Sequence, residues 1–287
     1  MFTKILVANR GEIACRVIRA CRKLGIKAVA IYSEADRNGL HVQMADEAYR
    51  VGGGDSTPQA SYLNMEKILA IAAAAGAEAV HPGYGFLSEN PTFARSCQKA
   101  GICFIGPNME VMEKMGDKLR ARNLAKRAGL PVLPSTNVAV QDNQAEKWAR
   151  KLGFPLMVKA AKGGGGIGIH MLESMEELMS IVERTRQVAA GAFGSPRLYF
   201  ERYLKGASHI EVQVIGDEYG NLIHLGERDC SIQRRNQKLI EETPAVKLTH
   251  EMRQDVCNMA LRLAKHIGYT NAGTVEFLAS SEGQIYF

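Results

Sequence analysis

Val158-Lys159-Ala160-Ala161-Lys162-Gly163-Gly164-Gly165-Gly166-Ile167-Gly168-Ile169 decides how this chain is read. Four consecutive glycines, with a fifth two residues on, give a backbone that a phosphate chain can approach closely, its N–H groups unobstructed. Lys159, just before them on an apparent strand, supplies fixed positive charge. The run formally satisfies G-x-G-x-x-G at Gly163, Gly165 and Gly168. A dinucleotide-binding turn, however, feeds a helix whose N-terminus holds the pyrophosphate. Here Ile167, Ile169 and Met171 continue as a short apolar piece, and the next helix begins only near Ser174. No Gly-Lys-Ser/Thr closes the run, so the P-loop pattern fails as well. The reading is strand, glycine loop, strand: a hairpin able to fold over nucleotide phosphates as a lid. A plain surface turn would not need four glycines, whose ordering is entropically costly.

Outward from the loop, the second half of the chain mixes helices with antiparallel strands. A helix ends at Trp148–Leu152, and Pro155–Ala161 and Ile167–Leu172 flank the loop. Ser174 with Glu177 makes a capping box for a helix through Val188. Arg197–Tyr203 reads as extended. Ile210, Val212 and Val214 alternate with Glu211 and Gln213, which predicts a half-buried strand. Gly216–Asn221 turns into a strand at Leu222–Leu225. Met252, Val256, Met259, Leu263 and Ile267 lie on one face of a helix over Glu251–Ile267, and Gly273–Leu278 with Gln284–Phe287 forms a hairpin around Glu282-Gly283. On the first strand of that hairpin, Glu276 faces away from Val275 and Phe277. A buried, unpaired carboxylate is expensive, so it calls for a metal or a lysine.

The first hundred residues instead alternate strand and helix: Ile5–Ala8, helix Gly11–Leu24, Ala28–Tyr32, helix Tyr62–Ala75, a strand from Ala79 into His81-Pro82-Gly83, a helix capped by Asn90 with Pro91 at its first position, and Ile102–Ile105. This predicts an open α/β layer of parallel type with ligand-facing turns at the strand C-termini. One helix over 109–128 follows, and the domain boundary falls near its start, giving domains at 1–113 and 114–287.

Composition narrows the function classes. Apolar residues make up 46% of 287, which fits a folded chain with two cores. No apolar run is long enough to span a bilayer, and the N-terminus enters a strand without a signal-peptide segment. Six cysteines show no Cys-x-x-Cys pairing, so they read as free thiols in a reducing cytoplasm with no zinc site. The net charge of +6 has clusters at Arg234-Arg235 with Lys238 and across Lys114–Lys126, but no interleaved aromatics. Anionic small substrates explain it better than nucleic acid does.

Several stretches then share one resemblance. They are Ala8-Asn9-Arg10-Gly11-Glu12-Ile13-Ala14, the ten residues His81-Pro82-Gly83-Tyr84-Gly85-Phe86-Leu87-Ser88-Glu89-Asn90, Met115-Gly116-Asp117-Lys118, the glycine loop, Glu227–Arg235 and Ala272-Gly273-Thr274-Val275-Glu276-Phe277. In order and spacing the chain resembles biotin carboxylase, the ATP-grasp component of biotin-dependent carboxylases, over essentially its whole length. The resemblance implies an open parallel α/β N-terminal (pre-ATP-grasp) domain followed by an α+β ATP-grasp domain with a glycine-rich lid subdomain at about 132–204. It implies a ligase in which ATP phosphorylates bicarbonate to carboxyphosphate, which then carboxylates biotin. The cofactors are ATP, Mg²⁺ (or Mn²⁺) and biotin on a biotin carboxyl carrier protein. The further partners are a carboxyltransferase and a second copy in a homodimer, in the cytoplasm. The acceptor could be acetyl-CoA, propionyl-CoA or pyruvate, and Gln233–Lys238 leans towards an acyl-CoA system. A carbamoyl-phosphate-synthase-like ligase and a non-catalytic nucleotide-binding module are the competing readings.

Carried over residue by residue, the resemblance implies that Lys118 and Lys159 bind ATP phosphates and that Gly163, Gly164, Gly165 and Gly166 form the lid loop. Glu201, Arg202, Tyr203 and Leu204 form a hinge strand that reads adenine through backbone groups. His209 and Gln233 contact the nucleotide at the ribose, and Asn236 makes a further nucleotide contact. Lys238 holds bicarbonate, and Glu276 is a metal ligand; these two are the catalytic candidates. Ile167 stands where the family often has arginine, and Asn236 where histidine is common. The second metal carboxylate, an asparagine, an arginine and a glutamate base of the family lie beyond Phe287, so the chain is expected to be a portion of a longer enzyme.

Overall fold

A computed structural model describes residues 1–53, 57–163 and 166–287. The chain divides into two compact units, Met1–Met112 and Glu113–Phe287.

The first unit is built on β1 (Lys4–Val7), β2 (Lys27–Tyr32), β3 (Glu47–Arg50), β4 (Ala79–His81) and β5 (Cys103–Phe104), all parallel in the order β3-β2-β1-β4-β5. The connecting helices are α1 (Gly11–Lys23), α2 (Leu40–Met44), α3 (Met65–Ala74) and α4 (Pro91–Lys99), with α5 (Met109–Met115) at the unit boundary. Near-continuous apolar strands such as Ala28–Ile31, all fully buried, are what a parallel sheet covered on both faces requires. The chain reverses its winding direction between β1 and β4, and the loops after these two strands are the two quoted motifs of this unit. The Asn9 amide donates to the carbonyls of Pro82 (2.7 Å) and Tyr84 (2.8 Å), and the Tyr84 hydroxyl donates to Glu12. Any side chain at Gly83, which has φ +64°, would collide with Asn9. The side chain of Asn90 caps α4 by accepting from the Phe93 N–H.

The second unit holds two sheets. The smaller runs β7-β6-β8, from β6 (Leu156–Ala160), β7 (Ile169–Leu172) and β8 (Leu198–Arg202), all antiparallel. Between β6 and β7 lies the glycine loop, so the strand–loop–strand reading holds. The larger is β11-β10-β9-β12-β13, from β9 (Ser208–Gly216), β10 (Leu222–Arg234), β11 (Gln237–Glu242), β12 (Asn271–Ala279) and β13 (Ile285–Tyr286). Ile210, Val212 and Val214 of β9 are fully buried, and α9 (His250–Ile267) packs against β9 and β10, with Val256, Ala260 and Leu263 among its buried residues. The remaining helices are α6 (Lys118–Arg127), α7 (Asp142–Leu152) and α8 (Leu178–Phe193).

Two expectations are corrected. The single helix over 109–128 is two helices, because Asp117 leaves the helix with extended backbone and caps α6 by accepting from the Arg120 N–H at 3.0 Å. The helix after β7 is not started by a Ser174 capping box; the Ser174 hydroxyl bonds Glu176, and α8 begins at Leu178 and runs on to Phe193. Among the described residues all six cysteines are free, five of them buried, and no helix is long and apolar enough to cross a membrane.

Candidate functional site

Strand register assembles the first cluster. On the polar face of the larger sheet, Arg228 of β10 stands opposite Glu211 of β9, Glu211 opposite Glu276 of β12, and Gln233 opposite Lys238 across β10 and β11. Glu211 against Glu276 is a like-charge pair that would destabilise the sheet unaided. Lys238 relieves it by donating to both, to Glu276 at 2.8 Å and to Glu211 at closer range. The Arg228 guanidinium adds a hydrogen bond from Nε to Glu211 at 2.6 Å.

Glu211 lies on the polar side of the alternation yet is only 3% exposed, covered by the two cations it binds. Burial works against its ionisation, but the hydrogen bonds and charges of Lys238 and Arg228 outweigh burial and hold the carboxyl below the usual glutamate range. Burial likewise works against the Lys238 ammonium, and the two carboxylates outweigh it, raising its pKa. Lys238 is thus a fixed cation at neutral pH. The sequence carries no local signal for Glu211, since a single glutamate between apolar strand residues looks the same whether its face is wet or covered.

Glu276 is exposed, its side chain at 56%, so the expected burial is absent while the expected lysine partner is present. Its second neighbour is His209, with Nε2 at 3.6 Å. Burial lowers the His209 pKa, against the pull of Glu276. Its tautomer follows from Gln233, whose amide NH₂ donates to the Cys230 carbonyl at 2.8 Å. The same nitrogen meets His209 Nδ1 at 2.6 Å, so Nδ1 accepts and Nε2 carries the proton directed towards Glu276. Gln233, His209, Glu276 and Lys238 are neighbours on this sheet face.

The second cluster is on the smaller sheet. Lys159 of β6 donates to Glu201 of β8, and Arg122 of α6 donates to the other carboxylate oxygen. Glu201 is 3% exposed. Its side chain is thus an anchor for two cations, a role separate from the backbone role implied by the sequence. At the hinge, the Arg202 N–H donates to the Pro134 carbonyl (2.8 Å) and the Tyr203 N–H to that of Pro155 (3.3 Å), so these two donors are engaged within the chain. Lys118, the first residue of α6, donates from its ammonium to the Gly163 carbonyl and from its backbone N–H to the Ala161 carbonyl (2.8 Å).

The glycine loop links the clusters. A side chain at Gly163 would overlap the Phe193 ring, and one at Gly166 would overlap Asn236. Asn236 and Arg235 form the two-residue turn between β10 and β11, both with positive φ (+64° and +51°), the mirror-type hairpin turn that asparagine tolerates. The loop thus rests on a turn flanked by Gln233 and Lys238. Gly164 and Gly165 lie outside the described residues. Ile167 is half-exposed at 50%.

Mg²⁺ takes oxygen donors, commonly one or two carboxylates with phosphate oxygens and water. The exposed Glu276 carboxylate fits as one such donor. Among the described residues the only three-residue group with metal-ligand spacing, Glu211, Cys230 and Glu241, is centred on a carboxylate already bound to Lys238 and Arg228. Burial pushes the Cys230 thiol up to about 12, so it does not offer a thiolate.

Residues 1–112 match the family described as biotin carboxylase, N-terminal domain, and residues 117–287 match that described as carbamoyl-phosphate synthase L chain, ATP binding domain. The 2-oxoglutarate carboxylase small subunit of Hydrogenobacter thermophilus is 52% identical over the whole of this chain and 60% of its own length. Biotin carboxylase 1 of Bacillus subtilis is 49% identical over the whole chain and 64% of its own. The biotin carboxylase domain of the Hydrogenobacter thermophilus enzyme, solved with MgADP, ADP and bicarbonate, superposes with a TM-score of 0.96 at 52% identity, covering the whole chain and 63% of that structure. The chain spans about three-fifths of the length of these relatives.

Proposed function

Because the chain belongs to the biotin carboxylase family, we propose that it carries the nucleotide- and bicarbonate-binding half of a biotin carboxylase, a ligase that couples ATP cleavage to carboxylation of biotin. The observation that carries the reading is the seating of the glycine loop, at Gly166, on the Asn236 turn between Gln233 and Lys238. That contact brings the phosphate-binding loop to the sheet face that holds Lys238, Glu276 and His209.

In this reading residues 1–113 form the N-terminal domain and 114–287 the ATP-grasp domain, with 132–204 as the lid. Lys118 and Lys159 neutralise nucleotide phosphates, and the N–H groups of the Gly163–Gly166 loop cover them and exclude water from an unstable acyl phosphate. The hinge at Glu201–Leu204 reads the adenine edge through backbone groups, for which the engaged N–H groups of Arg202 and Tyr203 leave Leu204 as the donor. His209, Gln233 and Asn236 line the nucleotide. Lys238, held cationic by Glu211 and Glu276, presents a compact charge to bicarbonate. Glu276 would hold Mg²⁺, which supplies charge neutralisation across the phosphate oxygens. The further length that the relatives have would supply the other metal and base residues. A biotin carboxyl carrier protein, a carboxyltransferase, a second copy in a homodimer and a cytoplasmic setting complete the proposal.

The test is ADP release by the longest natural form of the protein. It should require bicarbonate together with biotin, and Lys238→Gln should remove that dependence. Release that responds to ammonia and ignores biotin would favour the carbamoyl-phosphate-type reading instead.

A further inference from the structure

We propose that Arg122 is a positioning residue for the charge on Lys159, acting through the buried carboxylate of Glu201; this rests on the nucleotide reading above. Glu201 gives one oxygen to Arg122 and the other to Lys159, and is itself 3% exposed. Two cations on one carboxylate leave the trio with a net single positive charge. Arg122, also buried at 7%, is fixed by further bonds from its guanidinium to the Leu133 carbonyl and to the Ser135 hydroxyl at 3.0 Å. Backbone pairing between Ser135 and Glu201 makes this cradle one piece. Lys159 is the partly open member, its side chain 18% exposed against 9% for Arg122.

The electrostatic consequence follows from burial. In a medium of low effective dielectric, an unshared carboxylate would cancel the field of the Lys159 ammonium. Arg122 is permanently charged and cannot be displaced by an incoming anion from within its three-acceptor fork. It therefore neutralises Glu201 and leaves Lys159 with surplus positive potential for a phosphate group. Helix α6 delivers this arrangement: Lys118 and Arg122 are four residues apart on one face, so the same helix face that meets the Gly163 carbonyl also meets Glu201.

The experiment measures dissociation constants for ATP and for adenosine, by competition with a fluorescent nucleotide analogue, on the unmodified chain and on Arg122→Met, Arg122→Lys and the double variant Arg122→Met/Glu201→Gln. Arg122→Met should weaken ATP by about tenfold while leaving adenosine within about twofold. The double variant, which removes the carboxylate that would otherwise cancel the Lys159 charge, should recover most of the ATP affinity. Should Arg122→Met fail to fold, Arg122→Lys carries the test with an ATP-selective loss of about threefold, since lysine keeps the charge but not the fork. Equal weakening of ATP and adenosine would show a merely structural role and overturn the proposal, as would unchanged ATP affinity. An unmodified chain that binds no ATP would overturn the nucleotide reading and this inference with it, whereas normal binding with indifferent variants overturns this inference alone.

Discussion

At the scale of single residues, charge is held by burial and compensation. Glu211 binds Arg228 and Lys238, so Glu211→Gln removes the buried anion they share, leaving Lys238 on Glu276 and Arg228 on Glu241, and should destabilise the chain by about 1.5–3 kcal/mol in urea unfolding at pH 7. The folded chain holds the Glu211 carboxyl below its ordinary range, so in acid the unfolded state binds more protons than the folded one. Its contribution is complete above the unfolded glutamate value of about 4.3 and is lost as pH falls through the lower folded value. Unfolding free energies between pH 6 and pH 3 should therefore fall less steeply in Glu211→Gln than in the parent; identical slopes would contradict the assignment. His209 behaves in the same direction at higher pH: burial keeps it neutral, so protonation is resisted in the fold, and the Gln233 bond to Nδ1 holds the neutral ring.

At the scale of elements, the ends of helices and strands set the site. Asp117 caps α6 and pairs with Arg197 at 2.8 Å, immediately before Lys118. Asp117→Ala should cost about 1 kcal/mol of stability, and should also weaken ATP binding because Lys118 loses its fixed helix start. In the β10–β11 turn, Asn236→Gly should be nearly neutral in thermal unfolding. Asn236→Val should cost about 1–2 kcal/mol, because a β-branched residue resists positive φ. The parallel sheet shows what was legible, whereas the β10–β11 turn carried no reading in the sequence. Continuous apolar strands, the Asn90–Pro91 helix start and the glycine hairpin all carry local signals that the structure follows. The Gly116-Asp117 break also has its signal, an Asp at a helix start, but the helical stripe continues across it and masks it. Glu211 and the Arg122–Glu201 pair have none: their partners stand 17, 27 and 79 residues away in sequence, and only strand register and helix placement bring them together.

At the scale of the whole molecule, each unit brings its own motifs together. In the first, Asn9 ties the loops after β1 and β4, the pair of strand ends where α/β sheets commonly take ligands. In the second, the glycine loop and the polar sheet face meet at the Asn236 turn. The scattered short stretches of the resemblance thus fall into one cluster of contacts in each unit. The measurement that bears most directly on this account is equilibrium binding of MgATP to the chain by calorimetry, with Lys159→Gln alongside. One site per chain is expected, weakened at least tenfold by the substitution. Absence of ATP binding, or binding indifferent to the loss of Lys159, would contradict it.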